Sequence, residues 1–129
     1  MVSIVICTYN RQEYLPKCLG HLKAQNCDPK AYEIVLINNN STDSTDAICN
    51  DFITANSSLN VSYYIESNPG LSFARNRGIN EAKGDIICFI DDDGFAIPEY
   101  VNIISDYSKK MEFSHYMAFG GKVIPCYNE

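Results

Sequence analysis

Apolar residues fall into short, dense runs separated by stretches with helical spacing, and this alternation is the first thing the chain shows. Val2 to Cys7 is nearly continuous and rich in β-branched residues, as expected of a strand covered on both faces of a parallel sheet. From Arg11 to Gln25, Tyr14, Leu15, Cys18, Leu19 and Leu22 recur at helical spacing before the turn-forming Asn26-Cys27-Asp28-Pro29. Glu33 to Ile37 repeats the buried-strand pattern. Ser41-Thr42-Asp43 then offers side-chain oxygens to cap a helix carrying Ala47, Ile48, Phe52 and Ile53. Val61 to Ile65 reads as a third strand, Asn68-Pro69-Gly70 as a turn, and Leu71 to Ala82 as a third helix. Asp85 to Ile90 is the most apolar run and is expected to be a central strand. Pro98 suits the first turn of a helix reaching Met111, and Tyr116 to Ile124 is expected to form a last strand broken by Gly120-Gly121.

The β-α-β-α order predicts an α/β fold with an open, mostly parallel sheet flanked by helices and right-handed crossovers. A length of 129 residues with 46% hydrophobic content suits one domain spanning 1–129. No repeat, linker or low-complexity block divides it.

Charge narrows the partners. Sixteen acidic residues against ten basic ones give a formal charge of -6, which disfavours nucleic acid. An acidic site for a phosphorylated small molecule needs a cation to bridge carboxylates and phosphates. The six cysteines form no CxxC pair and read as scattered reduced thiols, with Cys7 and Cys88 as small core hydrophobes. No apolar stretch approaches the roughly 20 residues that span a bilayer. Met1 leads straight into the first apolar run without a signal-like segment, so three N-glycosylation patterns are read as chance matches. The expected location is the cytoplasm or the cytoplasmic face of a membrane.

In such sheets ligands bind beyond the carboxyl ends of the strands. Three of those ends are polar: Thr8-Tyr9-Asn10-Arg11, Asn38-Asn39-Asn40 and Asp91-Asp92-Asp93. Three adjacent carboxylates repel one another, and a divalent ion with hard oxygen ligands, Mn2+ or Mg2+, relieves that repulsion. The plain alternative is a solvated acidic loop ahead of a helix dipole. Arg75 and Arg77 suit phosphate oxygens, with surface ion pairing as the plain alternative. Tyr63 and Tyr64 are read as core, and His21 and His115 lack the company of a metal or acid–base histidine.

The ordered set Val2-Ser3-Ile4-Val5-Ile6-Cys7-Thr8-Tyr9-Asn10-Arg11, Glu33 to Asp43, Asn68-Pro69-Gly70 with Ala74-Arg75-Asn76, and Asp91-Asp92-Asp93 resembles family 2 glycosyltransferases over nearly the whole chain. The resemblance implies a GT-A (Rossmann-like) fold and inverting transfer of a sugar, of hexosyl type, from a nucleotide diphosphate sugar (UDP- or GDP-linked). The acceptor is a hydroxyl on a glycan or lipid-linked carrier, as in surface-polysaccharide synthesis. Carried over by position, Thr8 and Tyr9 line the nucleoside pocket with Asn10, Arg11 and Asn40 beside them. Asn38 faces the base, Arg75 holds the nucleotide, and Asp92 meets the ribose or diphosphate. Asp93 coordinates the metal, with Asp91 as its neighbour in a DXD-type motif. The family usually has aspartate where this chain has Asn38. Its acceptor-activating carboxylate lies well beyond the metal motif, which places the general base after Glu129 and leaves this chain the donor half of a C-terminally truncated GT-A domain. A nucleotide-sugar-binding module without transfer activity is the alternative. A nucleotidyltransferase would carry a glycine-rich loop after strand one, and Thr8 to Arg11 contains no glycine. A phospho-acceptor domain would need acidic residues there, and none is present.

Overall fold

A computed structural model describes residues 1–110 and 118–125. Its described elements are β1 (Val2–Thr8), α1 (Leu15–Lys23), β2 (Tyr32–Asn38), α2 (Thr45–Ala55), β3 (Val61–Ile65), α3 (Leu71–Glu81), β4 (Ile86–Phe89) and α4 (Tyr100–Lys109). A 3-10 turn, Pro29–Ala31, leads into β2. Among the described residues the strands form one parallel sheet in the order β3-β2-β1-β4.

Side chains alternate across a strand, so the two faces of β1 and β2 bury different sets. Ile4, Ile6, Ile34 and Leu36 join Leu15, Leu19 and Leu22 of α1, Cys49 of α2 and Val101 of α4 in the larger core. Val5, Val35 and Ile37 face Ala74 of α3 on the other side. Each large aliphatic residue buried in this way contributes about 1.5–3 kcal/mol. The buried Tyr32 hydroxyl donates to the Leu22 carbonyl at 2.9 Å and fastens the end of α1 to β2.

Four expectations are corrected. The first helix begins at Leu15, not Arg11, because Pro16 favours the first helical turn and residues 11–14 form a separate turn in which Arg11 O accepts from Tyr14 N and Leu15 N. The Asp85 to Ile90 run is an edge strand among the described residues. It pairs only with β1, and Ile87 and Phe89 are exposed. The fourth helix starts at Tyr100, two residues after Pro98, and Lys109 is its last residue; Met111 lies outside the described residues. Of the proposed last strand, residues 118–124 form no strand, consistent with the loss of pattern at Gly120-Gly121, and Tyr116 and Met117 lie outside the described residues. His115 and Cys126 lie outside them too.

Helix α3 lies close to the sheet because Gly78 presents no side chain to Val5. A Cβ there would overlap Val5 Cγ1. Gly78→Ala is expected to lose about 1–2 kcal/mol net in urea unfolding, the overlap outweighing the ~1 kcal/mol that alanine gains in helix propensity. An equal or greater stability would mean that the helix moves away freely.

Candidate nucleotide-sugar site

The carboxyl ends of β1, β2 and β4 lie at one rim of the sheet, and the segments after β1 and β2 are joined by hydrogen bonds. Asn10, in the left-handed region at φ 52°, accepts the Thr42 amide on Oδ1 at 2.8 Å, while its own amide donates to Ser41 Oγ at 2.9 Å. Gln12 N donates to Asp43 Oδ2 at 3.2 Å, and Ser44 N donates to Gln12 Oε1 at 3.0 Å. Asp43 also accepts the Thr45 amide at 3.0 Å, so it caps α2 from one position before Ser44. Hydrogen bonding from Thr45 holds the Asp43 carboxyl below its ordinary value.

Behind this rim is an open cavity of about 640 Å³. Thr8, Tyr9 and Asn40 line it from the β1 and β2 ends, and Ser67, Gly70 and Leu71 from the turn into α3. Gly70 has φ 127°, a conformation side-chain-bearing residues rarely adopt, which explains glycine at this N-cap. Asn39 holds the turn: Gly70 N donates to its Oδ1 at 2.9 Å, and its Nδ2 donates to the carbonyls of Glu66 (2.9 Å) and Asn68 (2.7 Å). Cys7 also lines the cavity and is half-buried, so it is less of a core residue than Cys88. Burial pushes its thiol up to about 11, leaving it protonated and unreactive.

The acidic residues stand beside this cavity and are not equivalent. Asp92 is buried, with its carboxylate 3.7 Å from Arg11 Nε. Burial raises its carboxyl above the ordinary value; the nearby Thr8 hydroxyl and the Arg11 guanidinium pull it down, and Asp93 and Asp91 push it up. The Thr8 hydroxyl is itself buried and lies near Asp92 without reaching good hydrogen-bond geometry with any protein group. Asp91 is exposed, 3.9 Å from an Arg75 nitrogen, and Asp93 is exposed. Arg75 also lies over the Phe89 ring at 5.7 Å. Arg77 turns elsewhere, pairing with Glu81 at 2.8 Å over the Tyr64 ring. Arg11 and Asn10 line a second, polar hollow of about 270 Å³ with Tyr14 and Asp43.

Helix α1 and the turn after it anchor the backbone that follows the acidic residues. Gln25 Nε2 donates to the Ile97 carbonyl at 2.9 Å, its Oε1 accepts from Val101 N at 3.0 Å, and Asn26 N donates to the Pro98 carbonyl at 2.8 Å. His21 Nδ1 is 3.2 Å from the Ala96 carbonyl and its ring stacks on Phe95.

Asn38 does not line the cavity. Its Nδ2 donates to Tyr63 Oη at 2.8 Å, its Oδ1 accepts from Ser41 N at 2.9 Å, and the Tyr63 hydroxyl donates to Asp46 Oδ1 at 2.6 Å. Tyr63 is therefore a partly buried core residue with a polar end, and Tyr64 packs against the smaller cluster.

The family model for glycosyl transferase family 2 matches residues 3–118. The chain belongs to glycosyltransferase family 2. This family 2 chain is 34% identical over 119 residues to the glycosyltransferase GlyA of Streptococcus pneumoniae, covering 92% of this chain and 16% of GlyA. It is 28% identical over 126 residues to the glucosyl-dolichyl phosphate glucuronosyltransferase of Haloferax volcanii, covering 96% of this chain and 38% of that protein. Both relatives are thus much longer than the region matched. Among solved structures, S. aureus TarS in complex with UDP-GlcNAc superposes with a TM-score of 0.73 at 24% identity, covering 82% of this chain and 30% of that one. The Pyrobaculum calidifontis mannosyltransferase PcManGT, in complex with GDP-Man and Mn2+, gives 0.75 at 22% identity, covering 80% and 31%. These likenesses establish the GT-A fold of the family 2 chain.

Among its described residues, no group of three or more His, Cys, Asp or Glu side chains converges into a metal cage. Asp91 and Asp93 offer exposed hard oxygens while Asp92 is turned inward to Arg11. That donor set fits Mg2+ or Mn2+ held by one or two carboxylates and completed by phosphate oxygens and water. Besides the residues singled out for a role, the cavity is lined by Asn39, Ser67, Gly70 and Leu71. The Asn68-Pro69-Gly70 turn was the visible signal for this wall.

Proposed function

We propose that this chain forms the donor side of an inverting, hexosyl-type glycosyltransferase that moves a sugar from a nucleotide diphosphate sugar to an acceptor hydroxyl on a glycan or lipid-linked carrier. The observation that supports it is the cavity lined from the β1 and β2 ends, with two loose arginine–aspartate pairs near it and a buried Thr8 hydroxyl in its wall. The nucleotide sugars in the TarS and PcManGT complexes agree in chemical class.

The nucleoside enters between Tyr9 and the Gly70-Leu71 wall, and Thr8 donates its unspent hydroxyl hydrogen bond toward the ligand. Arg75 and Arg11, held at 3.9 and 3.7 Å from their carboxylates, exchange those long contacts for shorter, charge-assisted ones to diphosphate oxygens. Asp93 and Asp91 would hold the divalent ion, which when bound supplies Lewis-acid stabilisation of the leaving diphosphate. Among the described residues no helix is long and apolar enough to cross a membrane. The proposed setting is the cytoplasm or its membrane face, where the lipid-linked acceptor is met at the surface.

Isothermal titration of UDP and GDP with and without Mn2+ tests the reading. The expected result is binding strengthened by Mn2+ about tenfold or more, with the strengthening lost in Asp93→Ala. A folded chain that binds neither nucleotide would overturn the donor-site reading, and an unchanged Mn2+ response in Asp93→Ala would remove Asp93 from the metal.

A further inference from the structure

We infer that Gln12 is a positioning residue for Arg11: its side chain closes a clasp between the segment after β1 and the start of α2, and the clasp leaves the arginine turned to Asp92. This rests on the donor-site reading above, in which Arg11 meets the diphosphate.

Residues 10–12 and 41–45 face one another with their hydrogen bonds interleaved. Three consecutive backbone N–H groups of the first segment donate to three side chains of the second. Asn10 N reaches Ser41 Oγ at 2.9 Å, Arg11 N reaches Thr45 Oγ1 at 3.3 Å, and Gln12 N reaches Asp43 Oδ2 at 3.2 Å. In the reverse direction Thr42 N donates to Asn10 Oδ1 at 2.8 Å, and Ser44 N donates to Gln12 Oε1 at 3.0 Å. A backbone N–H can only donate, so it is the oxygen of each amide that faces it. The second segment is itself fixed: Thr45 is fully buried, and Asp43 also accepts the Thr45 amide at 3.0 Å. The Arg11 carbonyl accepts from Tyr14 N and Leu15 N, which ties the other side of its backbone to the start of α1.

The clasp sorts the side chains. Those of Asn10 and Gln12 are spent on the backbone of the facing segment. The Arg11 side chain, between them in sequence, takes no part, and its Nε lies 3.7 Å from Asp92. Asn10 accepts a left-handed φ of 52° to allow this, a conformation that persists only where the surroundings enforce it. Capping of α2 explains only part of the arrangement. Asp43 already caps that helix, and the Asn10 and Arg11 bonds engage no N–H of the helix. What the five bonds have in common is a fixed backbone on both sides of Arg11. A guanidinium launched from a fixed backbone gives up less freedom when it closes on phosphate oxygens.

The test is a double-mutant cycle on this chain, with UDP and GDP in the presence of Mn2+ as probes and thermal unfolding alongside. Gln12→Met keeps the length of the side chain and removes its acceptor, and it is expected to weaken both nucleotides about fivefold. Gln12→Glu retains an oxygen for Ser44 N and is expected to stay within about twofold of the wild type. In an Arg11→Ala background, Gln12→Met is expected to change affinity by less than about twofold, because its effect runs through the arginine. A general loosening of the fold would lower the melting temperature and weaken binding by the same factor in both backgrounds. Equal factors in the two backgrounds would overturn the inference. So would wild-type affinity in Gln12→Met or in Arg11→Ala, or equal losses in Gln12→Met and Gln12→Glu, while nucleotide binding by the wild type leaves the donor-site reading standing. If the wild type binds neither nucleotide, the donor-site reading fails and the positioning role falls with it.

Discussion

Glu33→Ala is expected to lower the unfolding free energy by about 3 kcal/mol or more, although Glu33 lies at the end of the sheet away from the cavity. Its side chain is 1% exposed, and Oε1 accepts from Ser3 Oγ and from Lys83 N, both at 2.6 Å. Ser3 Oγ in turn accepts Gly84 N at 2.8 Å. The link from α3 to β4 is closed by this cluster. Gly84 leaves it no room to rearrange, because a Cβ there would stand 2.5 Å from the Met1 carbonyl and 2.7 Å from Ser3 Oγ. Truncation leaves the buried Ser3 hydroxyl without its acceptor, at about 1–3 kcal/mol, unties the part-buried Lys83 N–H, and removes the packed side-chain stem. Glu33→Gln keeps an acceptor oxygen and is expected to lose only about 1 kcal/mol. Urea unfolding of the two variants decides: losses below 1 kcal/mol in both would show that the link closes without the cluster.

Asp92→Asn is expected to move stability and binding in opposite directions. Burial raises the Asp92 carboxyl in the folded chain, so the folded state holds that proton more tightly than the unfolded chain does. As pH rises above the ordinary carboxyl value of 3.8, the folded state therefore loses stability through this group, and the penalty persists at neutral pH. An amide removes the buried charge and with it this penalty. The melting temperature at pH 7 is expected to rise, and the wild-type minus variant difference to shrink below pH 3.8. Under the donor-site reading, UDP or GDP affinity falls about tenfold or more, because the carboxylate that orients Arg11 is gone. A variant that is less stable at pH 7 would show that the Arg11 contact outweighs the burial of the charge. One that binds nucleotide as before would remove Asp92 from the site.

The strands and helices were largely legible because buried parallel strands such as Val2–Thr8 and Tyr32–Asn38 have to be apolar along their length. The same logic misplaced the Asp85 to Ile90 run. Apolar content signals burial but not neighbours, and β4 has a strand on one side only among the described residues. The start of α1 was misread because Tyr14 fits the helical spacing, whereas Pro16 fixes where the helix can begin. Position along a strand end identified Thr8, Asn40 and Asp92 as neighbours of one cavity rim. It could not distinguish Asn38 and Asn39 from Asn40, since three identical side chains differ only in partners 3 to 31 residues away, such as Ser41 and Gly70. Nor could it separate Arg75, beside Asp91, from Arg77, which pairs with Glu81 one turn along.

The anchoring of the acidic loop to α1 has a thermodynamic consequence. The carbonyls of Ala96, Ile97 and Pro98 are already engaged by His21, Gln25 and Asn26, so the backbone that carries Asp91 to Asp93 is tied down before any ligand arrives. Ordering a free loop on binding would consume about 1–2 kcal/mol for each backbone residue fixed, and here that entropy has been given up during folding. Gln25, in the turn that follows helix α1, thereby steadies a loop that it reaches only through the Ile97 carbonyl and the Val101 amide.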